Sequence, residues 1–113
     1  MEIKEYQEKA ARTLLNKSDK LLSLEETKII WCSQGLAGET GEVVDNLKKA
    51  IFHQHGINKE ELKKELGDVL WYIAGLCTLL DFTLEEVMQL NINKLLKRYP
   101  EGYNSKDSII RKI

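Results

Sequence analysis

Three capping signals divide most of the chain into long segments with helical periodicity. Ser23, Asn58 and Thr83 are each followed three residues later by a glutamate, which is the spacing of a helix N-terminal capping box. Each signal precedes a run in which apolar residues recur every three or four positions. The only proline, Pro100, follows the last run, and no segment alternates with period two for long enough to form a strand. The sequence therefore predicts an all-α fold.

The predicted helices form an antiparallel bundle of about four main helices. A first amphipathic helix starts at Ile3, reaches Leu15 and ends at the polar stretch 16–20. The later helices are predicted over residues 23–53, from 58 to about 80, and from 83 to just before Pro100. Because the connections at 54–58 and 81–83 are short, neighbouring helices are expected to run antiparallel. We expect a single domain over 1–113, with a C-terminal tail from about residue 100.

Composition excludes several classes of function. The chain has 17 basic and 18 acidic residues, so no net field favours a nucleic acid polymer or an anionic membrane. No apolar run approaches the roughly 20 residues of a membrane span. The charged N-terminal stretch does not resemble a signal peptide. Cys32 and Cys77 lie far apart among apolar residues, as expected for core thiols of a reduced, cytoplasmic protein.

Two pairs of acidic residues are the main candidates for chemistry. Glu39 and Glu42 lie on one side of the second helix, and Glu65 and Asp68 have the same spacing in the third. Such pairs usually belong to solvated faces, but both pairs adjoin apolar residues and contain a glycine. Packed antiparallel, the two helices would bring four carboxylates together, and their repulsion calls for a cation. Oxygen ligands favour Mg²⁺ first and Mn²⁺ second.

A magnesium site of this kind points to a phosphorylated substrate, because Mg²⁺ commonly binds through carboxylates and substrate phosphates. Lys49 returns to the face of Glu42 after two turns, and Lys94 and Arg98 are four residues apart on the fourth helix. All three could contact phosphate oxygens or belong to a solvated basic face. Trp71 follows Asp68 by three residues, so it is a candidate for stacking on a base or for packing in the core.

The two histidines are not predicted to bind a metal. His53 and His55 lie at the end of the second helix beside Gly56. A solvated C-terminal cap is the better interpretation of that position.

The motifs resemble those of the MazG-like nucleoside triphosphate pyrophosphohydrolases, in the all-α NTP pyrophosphatase superfamily. The resemblance is carried by GLAGETGEVVDNLKKAIFH, then ELKKELGDVLWYIAGL, then LEEVMQLNINKLLKRYPEGY. It implies an oligomeric helical bundle, a homodimer or homotetramer, that uses Mg²⁺ to hydrolyse NTP or dNTP to the monophosphate and pyrophosphate. The resemblance also implies a role in clearing the nucleotide pool.

By position, the resemblance implies both metal binding and catalysis by the two acidic pairs: Glu39, Glu42, Glu65 and Asp68. The candidate substrate-binding residues are Lys49, Trp71, Asn91, Lys94, Arg98 and Tyr99. Many relatives have a doubled glutamate in the first motif, whereas Gly38 precedes Glu39 here. The number of metal ions per site therefore stays open, as does the preferred base.

Three alternatives to this activity stay open. The first is a helical binding or regulatory module without catalysis, against which the intact acidic residues argue. The second is a related phosphoribosyl-ATP type pyrophosphohydrolase. A di-iron carboxylate bundle is a weaker alternative, because neither histidine follows a glutamate at the Glu-x-x-His spacing of such sites.

Overall fold

A computed structural model describes residues 1–14, 21–103 and 106 of the chain. It contains four helices, α1 (Ile3–Ala11), α2 (Leu24–Phe52), α3 (Lys59–Leu79) and α4 (Leu84–Arg98). No β-strand occurs among the described residues. The predicted all-α fold is confirmed. The predicted extension of the first helix to Leu15 is wrong, because α1 ends at Ala11 and the backbone N–H groups of Thr13 and Leu14 bond to the carbonyls three residues earlier, at 3.2 Å, which closes the helix in a turn. Most of the predicted tail lies outside the described residues.

The predicted caps are confirmed at the start of α2, α3 and α4. The hydroxyls of Ser23 and Thr83 accept hydrogen bonds from the backbone N–H three residues later, at 3.0 and 3.1 Å, and the glutamates there accept in return. Asn58 caps α3 by accepting from the backbone N–H of Glu61 at 3.2 Å. These bonds satisfy backbone donors that have no partner within their own helix, so each helix begins where its local sequence specifies.

Helices α2 and α3 form the main packed pair, and they run antiparallel as predicted. A Cβ on Gly35 would lie 2.2 Å from the ring of Tyr72, and one on Gly75 would lie 3.3 Å from Sγ of Cys32. A step of three residues forward along α2 thus corresponds to three residues back along α3. Cys32 and the free thiol Cys77 are each 4% exposed and are the buried residues of the described chain, as expected for core cysteines.

Helix α4 leaves α3 at a bend of 105°, so the antiparallel packing predicted for this pair is wrong. The turn explains the direction. Asp81 adopts a left-handed conformation with φ of 67°, and the backbone N–H of Phe82 bonds to the carbonyl of Cys77 at 3.1 Å, which closes the end of α3. Since α4 begins directly after its cap Thr83, the change of direction falls within the short connection 81–83.

Within the described ranges no single helix is both long and apolar enough to cross a membrane, and only α3 and α4 taken together, as a bent pair, reach that length and apolarity.

Candidate functional site

The register of the α2–α3 pair places the four acidic residues at two adjacent levels. Four residues beyond Gly35 on α2 is Glu39, and four residues before Tyr72 on α3 is Asp68. Three further residues in each direction lead to Glu42 and Glu65. Since Gly35 and Tyr72 are in contact, the same register puts Glu39 level with Asp68 and Glu42 level with Glu65. The two acidic motifs therefore share one stretch of the helix pair.

A direct contact fixes the orientation of Glu65. Asn46, one turn beyond Glu42 on α2, donates a short hydrogen bond from its side-chain Nδ2 to Oε1 of Glu65. The second oxygen, Oε2, is buried and has no hydrogen-bond partner among the described residues. A buried carboxylate oxygen without a donor is costly unless a cation or another donor meets it. This oxygen is thus the clearest available ligand atom of the acidic set.

The acidic residues differ in their exposure. Glu39 and Glu65 are half-buried, whereas Glu42 and Asp68 are exposed. Within the residues that the structure describes, no three His, Cys, Asp or Glu side chains converge closely enough to form a complete metal site. The backbone register brings the two motifs to the same levels, while repulsion between like charges favours separated side chains.

Lys49 lies in the last turn of α2 and pairs with Asp45, which the sequence interpretation did not consider. Its Nζ is 2.8 Å from Oδ2 of Asp45, and both side chains are about half exposed. The hydrogen bond from Lys49 lowers the pKa of the Asp45 carboxyl, and the same contact raises the pKa of Lys49. The charge of Glu42 also raises the pKa of Lys49, although less strongly. Lys49 is therefore a cation held near the first acidic motif.

Four candidate substrate-binding residues lie on or directly after α4, away from the acidic residues of the same chain: Asn91, Lys94, Arg98 and Tyr99. Asn91 and Lys94 are exposed, and the bend of 105° prevents α4 from running back along α3. Arg98 is half-buried, its Nε is buried without a partner among the described residues, and its guanidinium carbon lies 6.0 Å from the centre of the Tyr99 ring. The Tyr99 ring in turn lies 5.3 Å from the ring of Tyr103.

Trp71 belongs to an aromatic cluster on the other side of the acidic levels. Its ring packs edge to face against Tyr72, with centroids 5.0 Å apart, and against Trp31, at 6.1 Å. Trp31 and Tyr72 are also in contact, at 5.8 Å. Even so, Trp31 and Trp71 remain 56% and 58% exposed. The aromatic cluster is thus a packed group with a large open surface.

A cavity of about 410 Å³ lies at the turn between α2 and α3. Its polar wall contains Asn46, Lys49, His55, Asn58, Glu61 and Glu65. His53 caps the end of α2, as the sequence predicts, but His55 lines the cavity. Gln54 between them has φ of 56°, and the two imidazole rings are 5.8 Å apart. The sequence interpretation missed Asn46, although it stands within the first motif, because nothing in the linear pattern shows that it bonds to Glu65 across the helix pair. It also missed the cavity role of His55, which lies outside the motifs.

Comparison with known proteins identifies the family. The family model described as MazG nucleotide pyrophosphohydrolase domain matches residues 31–103. The chain belongs to the MazG family. The matched region contains both acidic motifs, most of α2, and all of α3 and α4. The predicted extension of a single MazG domain over 1–113 stays a prediction.

A phage protein is among the relatives of this MazG chain. "Gene 37 protein" of Mycobacterium phage L5 is 41% identical over 76 residues, which is 64% of this chain and 67% of that protein. No solved structure matches the chain.

Proposed function

We propose that this MazG protein is a Mg²⁺-dependent nucleoside triphosphate pyrophosphohydrolase, which converts NTP or dNTP to the monophosphate and pyrophosphate. The observation that carries the proposal is the state of Glu65. Asn46 holds one of its oxygens, and the other is buried without a donor at the level of Glu42. In a chain with a nucleotide pyrophosphohydrolase domain, that arrangement suits a cation at the acidic residues.

The donor set fits a hard cation. Glu39, Glu42, Glu65 and Asp68 would hold Mg²⁺ through oxygen atoms, and Mn²⁺ would substitute because it accepts the same ligands. When bound, the ion supplies charge neutralisation at the phosphates and lowers the pKa of a coordinated water. The unpaired Oε2 of Glu65 supports this assignment because it needs a positive partner and has none among the described residues.

The protein's own residues would position the reactants. Asn46 holds the Glu65 carboxylate by a hydrogen bond to Oε1, which leaves Oε2 as the oxygen available to the cation. Glu42 is the carboxylate that we propose to orient or deprotonate a water molecule. This water would attack the α-phosphorus as pyrophosphate leaves. Lys49, a cation beside the first acidic motif, would balance charge on the phosphates; its contact with Asp45 raises its pKa and so favours the charged form.

An oligomer completes the proposal. Large apolar side chains stay exposed on the described helices, among them Leu66 and Leu70 of α3, at 47% and 56%. Exposed apolar surface of this kind supports an interface between subunits.

In a homodimer or homotetramer, α4 of one subunit would serve the acidic residues of another. Asn91, Lys94, Arg98 and Tyr99 are the predicted substrate-binding residues on and after α4, and α4 diverges from the acidic residues of its own chain. The buried, unpaired Nε of Arg98 is consistent with a group that needs an acceptor from outside the described chain. Trp71 also stays a predicted substrate-binding residue.

The test is direct hydrolysis by the purified protein. Normal and damaged NTPs and dNTPs are incubated with Mg²⁺, and the monophosphate and pyrophosphate are quantified. Glu42→Gln and Asp68→Asn keep the shape of the side chain but remove its charge, so each is expected to lose at least a hundredfold in turnover with the fold retained. Glu85→Gln, an exposed acidic residue in the first turn of α4, is the control and should retain activity.

Each outcome separates the proposal from its alternatives. Near-normal turnover in both site variants would place the catalytic centre elsewhere. A protein that binds nucleoside triphosphates with Mg²⁺ but releases no pyrophosphate would be the non-catalytic binding module. Preferential hydrolysis of phosphoribosyl-ATP would identify the related enzyme class.

A further inference from the structure

The cavity at the α2–α3 turn has the size of a ligand site, and it borders the acidic residues through Asn46, Lys49 and Glu65. Its volume of about 410 Å³ is near the lower end of the range for small-molecule pockets, roughly 300–1,000 Å³. A site of this size suits one portion of a nucleotide better than a whole triphosphate. The inference that follows rests on the proposed function, because it assigns a portion of the same substrate to this cavity.

The walls favour a flat, partly apolar group. Leu47 and Ala50 of α2, Ile57 of the turn and Leu62 of α3 contribute apolar surface from three sides. Polar groups stand among them, so the cavity combines apolar faces with a few hydrogen-bonding groups. This is the usual composition of a site for a heterocyclic ligand.

The charges of the wall disfavour a phosphate group. The groups of the wall that can be positive are Lys49 and His55, and the carboxylate outside the acidic motifs is Glu61, which pairs with Lys64 at 3.2 Å. Lys49 is paired with Asp45 at 2.8 Å and is the proposed partner of the phosphates at the acidic residues, so it does not serve a second phosphate group inside the cavity. A pyrophosphate group carries several negative charges and needs an excess of cations, which this wall does not supply. An uncharged ring has no such requirement.

Glu65 connects the cavity to the acidic residues, because it lines the cavity and belongs to the second acidic motif. A triphosphate whose α-phosphate lies at those residues therefore has its nucleoside within reach of the turn. We propose that this cavity binds the nucleobase of the triphosphate and that Glu61 accepts a hydrogen bond from an exocyclic amino group of the base. Carboxylates read such amino groups in nucleic acids, for example on cytosine.

This assignment gives the two ends of the helix pair different roles. The base lies at the α2–α3 turn, and the aromatic cluster of Trp31, Trp71 and Tyr72 lies beyond the acidic residues in the opposite direction. If the base lies at the turn, Trp71→Ala either lowers turnover of all triphosphates by a similar factor or leaves it unchanged. It changes the order of preference among bases only if the base stacks on Trp71 instead.

Two pairs of variants test the assignment. Glu61→Ala removes the proposed acceptor, and Glu60→Ala is its control, because both residues lie in the first turn of α3 and each pairs with a lysine three residues later. His55→Ala removes part of the cavity wall, and His53→Ala is its control outside the wall. All four substitutions are at exposed residues, which favours retention of the fold.

Steady-state kinetics on a panel of triphosphates give the first readout. In Glu61→Ala, KM for substrates with amino-bearing bases (ATP, CTP and GTP) is expected to rise about tenfold, the effect of losing one charged hydrogen bond, whereas KM for UTP and TTP stays within about twofold. In His55→Ala, KM rises for every base. Inhibition by inorganic pyrophosphate should be unchanged in both variants. Equal behaviour of Glu61→Ala and Glu60→Ala for all bases overturns the inference, as does weaker inhibition by pyrophosphate in either cavity variant.

A titration with cytidine separates this inference from the proposed function. Cytidine at millimolar concentration should shift the ring C–H signals of His55 in the NMR spectrum of the metal-free wild type, and the shift should be lost in Glu61→Ala. If the wild type hydrolyses no triphosphate but cytidine shifts these signals, the proposed function fails and the base site stands. If triphosphates are hydrolysed but cytidine leaves the signals unmoved, the base site fails and the proposed function stands.

Discussion

Replacing Gly35 with alanine tests the close approach of α2 and α3 directly. A Cβ at this position would lie 2.2 Å from Cε1 and 2.4 Å from Cζ of Tyr72. Carbon atoms in contact are normally about 3.5–4.0 Å apart, so the ring would have to move by more than about 1 Å. The ring is also packed against Trp31 and Trp71, with centroids 5.8 and 5.0 Å away, and this restricts its movement.

The magnitude follows from two opposing terms. Alanine is more favourable than glycine inside a helix by about 1 kcal/mol, whereas overpacking a well-filled contact costs about 1–3 kcal/mol. Gly38→Ala is the matched control, because a Cβ at Gly38 meets no atom within 4 Å. The propensity term is common to both variants, so their free energies of unfolding should differ by the overpacking cost alone. We expect Gly35→Ala to be about 2 kcal/mol less stable than Gly38→Ala.

Chemical unfolding at a fixed protein concentration measures this difference, with tryptophan fluorescence as the probe. A difference of 2 kcal/mol corresponds to roughly 8 °C in Tm for a domain of this size. In a protein that already carries Tyr72→Ala, adding Gly35→Ala should cost little stability, because the ring that the new Cβ would meet is gone. Equal stability of the Gly35 and Gly38 variants would refute the close contact. Loss of stability in Gly38→Ala would show that Gly38 meets another subunit.

Four further outcomes are expected. Mg²⁺ or Mn²⁺ at 100 times its dissociation constant should stabilise the native protein by about 2.7 kcal/mol, and a Tm that responds to zinc alone would contradict the site. Arg98→Lys should reduce turnover for every triphosphate by a similar factor, because lysine cannot replace a planar forked donor, whereas unchanged turnover would leave Arg98 a structural role. Sedimentation at micromolar concentration should show an oligomer, and a monomer would refute the proposed assembly. The Asp45–Lys49 pair should lose its stabilising contribution as the pH falls through the lowered pKa of Asp45, below 3.8, or rises through the raised pKa of Lys49, above 10.5. Asp45→Asn should remove that component from a pH series of unfolding experiments, and an unchanged series would show that the pair does not contribute.

The sequence by itself determined the helices and their starting points. The caps at Ser23, Asn58 and Thr83 form between residues three positions apart, so their geometry depends on the local chain alone. The family was also accessible from the sequence, because the spacing of the acidic residues and the order of the motifs are linear features that a family model matches.

Only the tertiary structure decided which side chains meet across the helix pair and where α4 goes. The bond from Asn46 to Glu65 joins residues 19 positions apart, and no local pattern indicates it. Asp81, in the connection before α4, and Gln54, directly before His55 of the cavity wall, both adopt left-handed conformations that no local pattern indicates. Periodicity specifies the faces of single helices, whereas register, turn geometry and cavities arise from contacts between segments that are distant in the chain.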